Sequence, residues 1–228
     1  MARLADFSIL KDSGIDFAAI ENRCRWKKFD PNEILLDFDD PSSDVYFLIS
    51  GDVRILMRTA AGKEVILSEM KGGQLFGELA AVDGIKRSAN VTALTRGEVC
   101  IMPASVFREV LYNSPVIAER MFRILTNRIR ELNARIVEHT VLDLRHRLYS
   151  ELLRMSVPRN GHEGQKVVTP PPYHHVLAGR IGCRREQVTR EFSTMTQEGL
   201  IERTRGALVL MKPEVMQARV SEALREDG

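Results

Sequence analysis

The sequence predicts an α+β protein that consists of a roll of short β-strands, one long helix and a small helical domain. Short apolar segments between turn residues fill the region from about Arg25 to Met102, which favours a jelly-roll-like β-roll. From Pro115 onward the apolar residues recur with the period of a helix. In the last third, two helical patterns flank a tight turn. We expect a β-roll domain over 1–114, the long helix over 115–140, a hinge over 141–144 and a C-terminal domain over 145–228.

The composition is that of an ordinary globular protein, with 44% hydrophobic and 28% charged residues among 228. The N-terminus lacks the apolar core of a signal peptide, and no apolar run reaches the roughly 18 residues of a membrane helix. We therefore expect a cytoplasmic protein without a membrane partner. Three cysteines, Cys24, Cys100 and Cys183, are too few and too far apart for a disulfide framework or a Cys-x-x-Cys metal site.

The charge distribution distinguishes the two ends of the chain. From Arg145 to Gly228, 14 Lys and Arg stand against 10 Asp and Glu, although the whole chain carries a net charge of only +2. A basic C-terminal third is compatible with a polyanionic partner.

Six segments of the N-terminal region read as strands because apolar, β-branched and aromatic residues lie between turn residues. They are Glu33–Phe38, Val45–Ser50, Val53–Thr59, Glu64–Met70, Ala89–Leu94 and Glu98–Met102. The segment Ala60-Ala61-Gly62-Lys63 has the composition of a hairpin tip. One stretch, Phe76–Arg87, interrupts the strand pattern.

This interruption holds the residues with the clearest chemistry, in two triplets: Gly77-Glu78-Leu79 and Arg87-Ser88-Ala89. Arg87 offers a planar charged fork that suits phosphate oxygens, and Ser88 adds a hydroxyl donor. An ionised Glu78 only accepts hydrogen bonds, so it suits a ribose hydroxyl, and Gly77 permits close approach of the backbone. At this spacing, within a run of short strands, the two triplets predict a site for a cyclic phosphodiester and its ribose.

The long helix carries two apolar stripes. One has the alternating spacing of three and four residues that is typical of a coiled-coil seam, and consists of Phe122, Leu125, Ile129, Leu132 and Ile136. The other lies on a second face and consists of Ile117, Met121 and Ile124. Two stripes indicate that one face packs on the β-roll while the other pairs with a second copy, so we expect a homodimer. The alternative is an intramolecular helix pair.

The predicted hinge follows the long helix. The segment His139–Asp143 ends that helix, and Asp143 has the side chain of an N-cap for a new helix over Leu144–Met155. This short passage marks the expected boundary between the two domains.

The C-terminal domain has the spacing of a winged helix-turn-helix. Tyr173–Ile181 and Arg184–Glu198 read as helices around Gly182-Cys183, and strands over Leu200–Arg203 and Leu208–Met211 form a wing. The second helix begins with residue types that read base edges, namely Arg184, Arg185, Glu186 and Gln187, with Arg190 one turn later. The alternative is a solvated charged face with an ion pair between Glu186 and Arg190.

With these motifs in place, the chain resembles the cyclic-AMP receptor (catabolite activator) protein family of the CRP/FNR superfamily. The resemblance runs from about Glu21 to Leu210 and is carried by the two triplets, by Val141-Leu142-Asp143-Leu144 and by Gly182-Cys183-Arg184-Arg185-Glu186 with Arg190. It implies a β-roll that binds a cyclic nucleotide, a dimerisation helix and a winged-helix DNA-binding domain. It also implies that the ligand acts allosterically, reorienting two recognition helices, and that no further cofactor is needed.

The resemblance implies roles for particular residues. Glu78 would hold the ribose 2′-hydroxyl, while Arg87 and Ser88 would hold the phosphate, with Gly77, Leu79 and Ala89 beside them. Arg128 falls where the family has an arginine near the ligand and the acidic residue. Where the family has Thr-Ser against the purine, this chain has Leu132 and Asn133, which leaves cyclic AMP and cyclic GMP both open.

On the DNA side, the resemblance implies that Arg185, Glu186 and Arg190 read a palindromic operator similar to TGTGA. Arg184, Gln187 and His174 are expected to add contacts, His174 to the phosphate backbone, and RNA polymerase is an expected partner. Gln187 replaces a smaller residue of the family pattern, so the central bases of the half-site stay open.

Three alternatives use the same fold differently. One is a regulator with another effector or with none, against which the intact Glu78, Arg87 and Ser88 argue. A cluster- or haem-based sensor needs N-terminal cysteines or a barrel ligand, yet only Cys24 lies near the N-terminus and all five histidines lie at or beyond His139. A metal-dependent cupin enzyme needs barrel histidines too, so no enzymatic activity is expected.

Overall fold

The computed structural model describes residues 3–59, 62 and 64–226, with the side chain of Glu226 left out. The predicted hairpin tip at 60–63 lies outside the described residues except for Gly62. The chain divides into two compact units, Met1–Arg128 and Ile129–Gly228. The division falls inside the long helix, so each unit is described by itself.

The described strands of the first unit form two four-stranded antiparallel sheets. In chain order the strands are β1 (Arg25–Phe29), β2 (Ile34–Leu36), β3 (Val45–Ser50), β4 (Asp52–Arg58), β5 (Glu64–Lys71), β6 (Leu75–Phe76), β7 (Asn90–Ala93) and β8 (Gly97–Met102). One sheet has the order β1-β8-β3-β6 and the other β2-β7-β4-β5. The helices are α1 (Phe17–Glu21), α2 (Glu78–Asp83), α3 (Ala104–Asn113) and α4 (Pro115–Val141), and α4 continues into the second unit.

Apolar residues from both sheets form one core, which explains why they face each other as a β-roll. Phe29, Leu48, Val53, Phe76 and Val99 belong to this cluster. The sheet that contains β3 is buried on its other face as well, because a second cluster joins Val45, Phe47 and Cys100 to α3 and to the start of α4. Burial on both faces accounts for the unbroken apolar run in β3.

The two predicted stripes of α4 behave differently. Ile117 and Met121 are buried in the second cluster of the first unit, as expected for a face that packs on the β-roll. On the other stripe, Phe122 is 69%, Ile129 57% and Ile136 63% exposed. The helix ends at Val141, and Asp143 caps the next helix, α5 (Leu144–Met155), by accepting a 2.9 Å hydrogen bond from the His146 N–H. This cap was predicted and is confirmed.

The second unit contains the rest of the chain. After α5 come β9 (Val157–Pro158), β10 (Lys166–Val168), α6 (His174–Ile181), α7 (Arg185–Gln197), β11 (Ile201–Arg203), β12 (Leu208–Leu210) and α8 (Pro213–Glu226). The strands form a sheet in the order β11-β12-β10-β9. Leu148, Leu177, Val188 and Met195 lie at the centre of its apolar core.

The α+β class with its β-roll, long helix and winged helix-turn-helix is therefore confirmed. Strand β3 has the predicted bounds, and the other five predicted strands differ by a few residues at their ends. Several elements of the described residues were not predicted as such, namely strands β1, β6 and β9 and helices α1, α2, α3 and α8. No helix in the described part of the chain is long and apolar enough to cross a membrane.

Candidate functional site

Gly77 begins the interruption of the β-roll and adopts a left-handed backbone conformation, with φ of 82°, just before α2. A Cβ atom at this position would lie 2.9 Å from Nη1 of Arg87 and 3.1 Å from the carbonyl oxygen of Asp44. Both the backbone angle and the close contacts therefore require glycine here. The glycine of the first triplet therefore allows that triplet to pack directly against Arg87 of the second.

Arg87 is the centre of this packing and is only 3% exposed. Its Nε donates to Ser42 Oγ at 3.0 Å, Nη1 to the carbonyl oxygen of Gly77 at 2.8 Å, and Nη2 to that of Asp44 at 2.8 Å. Three of the five guanidinium N–H groups are thus used inside the protein, which leaves one each on Nη1 and Nη2. Burial lowers the pKa of Arg87, although Tyr46 and the nearby carboxylates partly oppose this.

The segment just before β3 holds the backbone of Arg87 as well as its side chain. The N–H of Asp39 donates to the carbonyl oxygen of Arg87 at 3.0 Å, and the N–H of Arg87 donates to that of Asp40 at 3.1 Å. Hydrogen bonds from Ser42 lower the pKa of the Asp40 carboxyl group. The Asp39-Asp40 backbone and Ser42 thus help to build the arginine site, and the sequence pattern did not predict this.

Glu78, the first residue of α2, is 2% exposed and is paired with Arg128 of α4. Nη1 of Arg128 donates to Oε1 of Glu78, and Nη2 donates to the carbonyl oxygen of Leu75 at 3.1 Å. A carboxylate this deeply buried is costly without a partner, and Arg128 is that partner. Glu78, Gly77, Arg87 and Arg128 thus form one connected group within the first unit.

The other predicted effector residues have different surroundings. Ser88 and Leu79 are exposed, and Ala89 is buried. Leu132 and Asn133 are both exposed and belong to the second unit. Their predicted role against the purine stays a prediction.

In the second unit, α6 and α7 form the helix-turn-helix around Gly182, whose φ of 71° ends α6. The side chains of Arg184, Arg185, Glu186 and Arg190 are all exposed. Within the described part of the chain, Glu186 and Arg190 form no ion pair with each other, unlike the alternative of a self-paired charged face. The charged groups at the start of α7 are available to a partner.

Two predicted DNA contacts are engaged inside the domain. Oε1 of Gln187 accepts a 3.0 Å hydrogen bond from the Arg184 N–H and so caps the start of α7. Nδ1 of His174 lies 2.8 Å from Oγ1 of Thr189, and its ring lies 4.6 Å from that of Phe192. Burial lowers the pKa of His174, and Arg203 and Arg185 lower it further. The structure therefore gives Gln187 a role in capping α7 and His174 a role in holding α6 against α7.

The wing is a short hairpin between β11 and β12. The N–H of Thr204 donates to the carbonyl oxygen of Ala207 at 2.9 Å and closes the turn. Arg203 and Arg205 are exposed beside this turn. The wing thus adds positive charge next to the recognition helix.

Two family models match this chain. The cyclic nucleotide-binding domain matches residues 26–114, and the Crp-like helix-turn-helix domain matches residues 146–219. The first match contains both triplets of the candidate effector site, and the second contains the helix-turn-helix and the wing. Together they cover most of the chain.

Relatives with known roles match over most of the chain. A CRP-like cAMP-activated global transcriptional regulator of Mycobacterium tuberculosis is 27% identical over 220 residues, which is 96% of this chain and 97% of the relative. The cAMP-activated global transcriptional regulator CRP of Salmonella typhimurium is 25% identical over 181 residues, covering 79% of this chain and 86% of the relative. These relatives are transcription regulators rather than enzymes.

Solved structures share the fold. A CooA variant from Carboxydothermus hydrogenoformans has a TM-score of 0.78 at 17% identity and covers 96% of this chain and 98% of its own. The c-di-GMP-responsive global regulator CLP of Xanthomonas campestris has a TM-score of 0.69 at 18% identity, covering 85% and 97% respectively. With a cyclic nucleotide-binding β-roll followed by a Crp-like helix-turn-helix, the chain belongs to the CRP/FNR family of transcription regulators.

Proposed function

We propose that this protein is a homodimeric transcription regulator that binds cyclic AMP or cyclic GMP beside α2 and then binds a palindromic operator. The observation that carries the proposal is the connected group of Glu78, Arg87 and Arg128, in which an acceptor and a phosphate-type donor are fixed close together. A ribose hydroxyl and a cyclic phosphate present the complementary donors and acceptors.

The internal hydrogen bonds of Arg87 support this role because they fix the guanidinium before a ligand arrives. One N–H on each of Nη1 and Nη2 remains for phosphate oxygens, and the exposed hydroxyl of Ser88 adds a donor next to them. A preorganised donor loses little conformational entropy on binding. Gly77, Leu79 and Ala89 complete this loop, and Leu132 and Asn133 are proposed to meet the purine.

The exposed stripe of α4 supports a dimer. Phe122, Ile129, Leu132 and Ile136 are each more than half exposed, and they repeat with the spacing of a two-helix seam. A twofold dimer presents two recognition helices, so the operator should be palindromic, with half-sites about 34–36 Å apart. Arg185, Glu186 and Arg190 are proposed to read a TGTGA-like half-site, with Arg184, Gln187 and His174 beside them.

Three further assignments follow from a DNA partner. RNA polymerase is proposed as the second protein partner, since regulators of transcription act at promoters. A cytoplasmic location is proposed because bacterial DNA lies there. A different effector is the second candidate, because CLP of Xanthomonas campestris, which has this fold, responds to c-di-GMP.

The test is a calorimetric cycle that combines one substitution with one ligand change. Wild type and Glu78→Gln are titrated with cyclic AMP, cyclic GMP and their 2′-deoxy forms. A hydrogen bond to a charged group contributes about 1.5–3 kcal/mol, so wild type should lose roughly 10- to 100-fold in affinity for the 2′-deoxy form. Glu78→Gln should lose far less on the same ligand change, because its carboxylate is gone.

Two outcomes of this calorimetric cycle would contradict the proposal. Equal loss in both proteins would contradict the assignment of Glu78 to the ribose. Absence of binding by all four ligands would contradict the cyclic mononucleotide, and a parallel titration with c-di-GMP would then test the second candidate.

A further inference from the structure

The end of α4 is joined to the DNA-binding fold by a chain of alternating charges. Both carboxylate oxygens of Glu138 accept from Nη2 of Arg154 on α5, at 2.7 and 2.8 Å. Nη1 of Arg154 donates to Glu151, whose other oxygen accepts from Nη1 of Arg180 on α6 at 2.7 Å. The side chains of Glu151 and Arg180 are 3% and 8% exposed, so the middle of the chain is buried.

A second connection runs beside the first. Nη1 of Arg147 lies 3.2 Å from Nδ1 of His139 and donates to the carbonyl oxygen of Ile181 at 3.1 Å. Ile181 is the last residue of α6 and directly precedes Gly182, the turn before the recognition helix. Both connections therefore start in the last turns of α4 and end in the last turn of α6.

We propose that Glu138, Arg154, Glu151 and Arg180 act as an ionic clamp that makes the last turns of α4 part of the DNA-binding body. The clamp consists of these four residues, and they are positioning residues because none of them is expected to touch the effector or a base. The division between compact units supports this, since it falls at Arg128 and Ile129 rather than at the predicted hinge of 141–144.

The physical reason lies in burial and geometry. A buried carboxylate that loses one of its cationic partners is strongly penalised, so Glu151 holds Arg154 and Arg180 together. Arg154 bridges two carboxylates, because it pairs with Glu138 through Nη2 and with Glu151 through Nη1. This bridge fixes the angle between α4 and α5. When α4 is displaced, the turn before α7 then moves with it as a rigid body, and the backbone does not bend at Leu142 and Asp143.

The experiment compares Glu138→Gln with Glu131→Gln in the full-length protein. Both glutamates lie on α4, seven residues apart, at the same position of the heptad, but Glu131 is exposed and forms no ion pair among the described residues. Hydrogen exchange is measured without nucleotide or DNA. Glu138→Gln should speed exchange of the amides of 136–141 by roughly 5- to 20-fold. This factor is smaller than that expected for a fully buried ion pair, because the pair is partly exposed. Glu131→Gln should leave them unchanged.

A double-substitution cycle tests whether the two residues act as a pair. In an Arg154→Gln background the effect of Glu138→Gln should disappear, because its partner is already lost. Equal effects of Glu138→Gln in both backgrounds, or no effect of Glu138→Gln on 136–141, would overturn the clamp.

A second measurement tests whether the clamp transmits the effect of the nucleotide to DNA binding, and this measurement rests on the proposed function. The factor by which cyclic AMP raises affinity for operator DNA should fall several-fold in Glu138→Gln, whereas nucleotide affinity without DNA should stay that of wild type. If wild type shows no response to nucleotide, the proposed function fails while the exchange measurement still decides the clamp. An unchanged factor in a responsive protein would overturn the transmitting role.

Discussion

The proposed effector site and the proposed recognition helix use the same residue types in opposite ways. Arg87 and Glu78 are 3% and 2% exposed and bonded to the protein itself, whereas Arg185, Glu186 and Arg190 are exposed. Buried charges must be held by partners, so the effector site is also part of the scaffold. Exposed charges need no such partners, so Arg185, Glu186 and Arg190 can be substituted at little cost to the fold.

The largest difference should appear when the arginines of the two regions are removed. Arg87→Leu leaves the carbonyl oxygens of Gly77 and Asp44 without their donors and should lower the free energy of unfolding by on the order of 2–4 kcal/mol. Arg185→Ala should stay within about 0.5 kcal/mol of wild type. Urea denaturation followed by circular dichroism measures both.

This result also determines which variants report on the ligand. If Arg87→Leu is as stable as wild type, the scaffold role of Arg87 is wrong and the arginine serves the ligand alone. Ser88→Ala is the matched variant, because Ser88 is exposed next to Arg87. Its substitution should lower the affinity for the ligand without lowering the free energy of unfolding.

The recognition helix should show its effect on DNA instead. Arg185→Ala should reduce affinity for the operator by about 1–3 kcal/mol and relax one base position of each half-site. Affinities for operators substituted at single positions measure this in a fluorescence anisotropy titration. An equal loss on random DNA would mean that Arg185 contacts phosphate only.

The sequence predicted best where local residues decide the structure. Strand β3 was predicted to the residue because its apolar run lies between turn residues, and the cap by Asp143 depends on a residue three positions away. The charged start of α7 was predicted for the same reason. In each case the signal and the contact lie within a few residues.

The sequence predicted least where contacts join distant segments. Ser42 lies 45 positions from Arg87, and Glu78 lies 50 positions from its partner Arg128. A resemblance implied the second contact, but no local pattern indicated the first. The clamp at the end of α4 was missed for the same reason, since Glu138 and Arg154 are 16 positions apart on different helices. The helix-turn-helix also uses Gln187 and His174 internally, which residue type alone does not predict.

The smallest expected effect is the pH dependence of the helix-turn-helix. The pKa of His174 is lowered in the fold, so the unfolded chain takes up a proton at higher pH than the folded protein does. Stability is therefore lost as the pH falls below the unfolded value of about 6.5. His174→Gln should lose less stability than wild type between pH 7.5 and 5.5 in urea denaturation, because Gln does not titrate.

His139 also contributes to the pH dependence of stability, because its pKa is lowered by burial and by Arg147. It titrates in both proteins and so cancels in their difference. Identical pH profiles for wild type and His174→Gln would contradict a lowered pKa of His174 in the folded protein.

If the protein acts as proposed, occupancy of the site at Glu78 and Arg87 is coupled to binding of operator DNA by α7. Calorimetric titration of the wild-type protein with cyclic AMP and with cyclic GMP, in the presence and absence of operator DNA, measures this coupling directly. Linkage requires that DNA raise nucleotide affinity by the same factor by which nucleotide raises DNA affinity, typically about 5- to 150-fold. We expect such a factor for at least one of the two nucleotides, and nucleotide affinities that are unchanged by DNA would rule out the coupling.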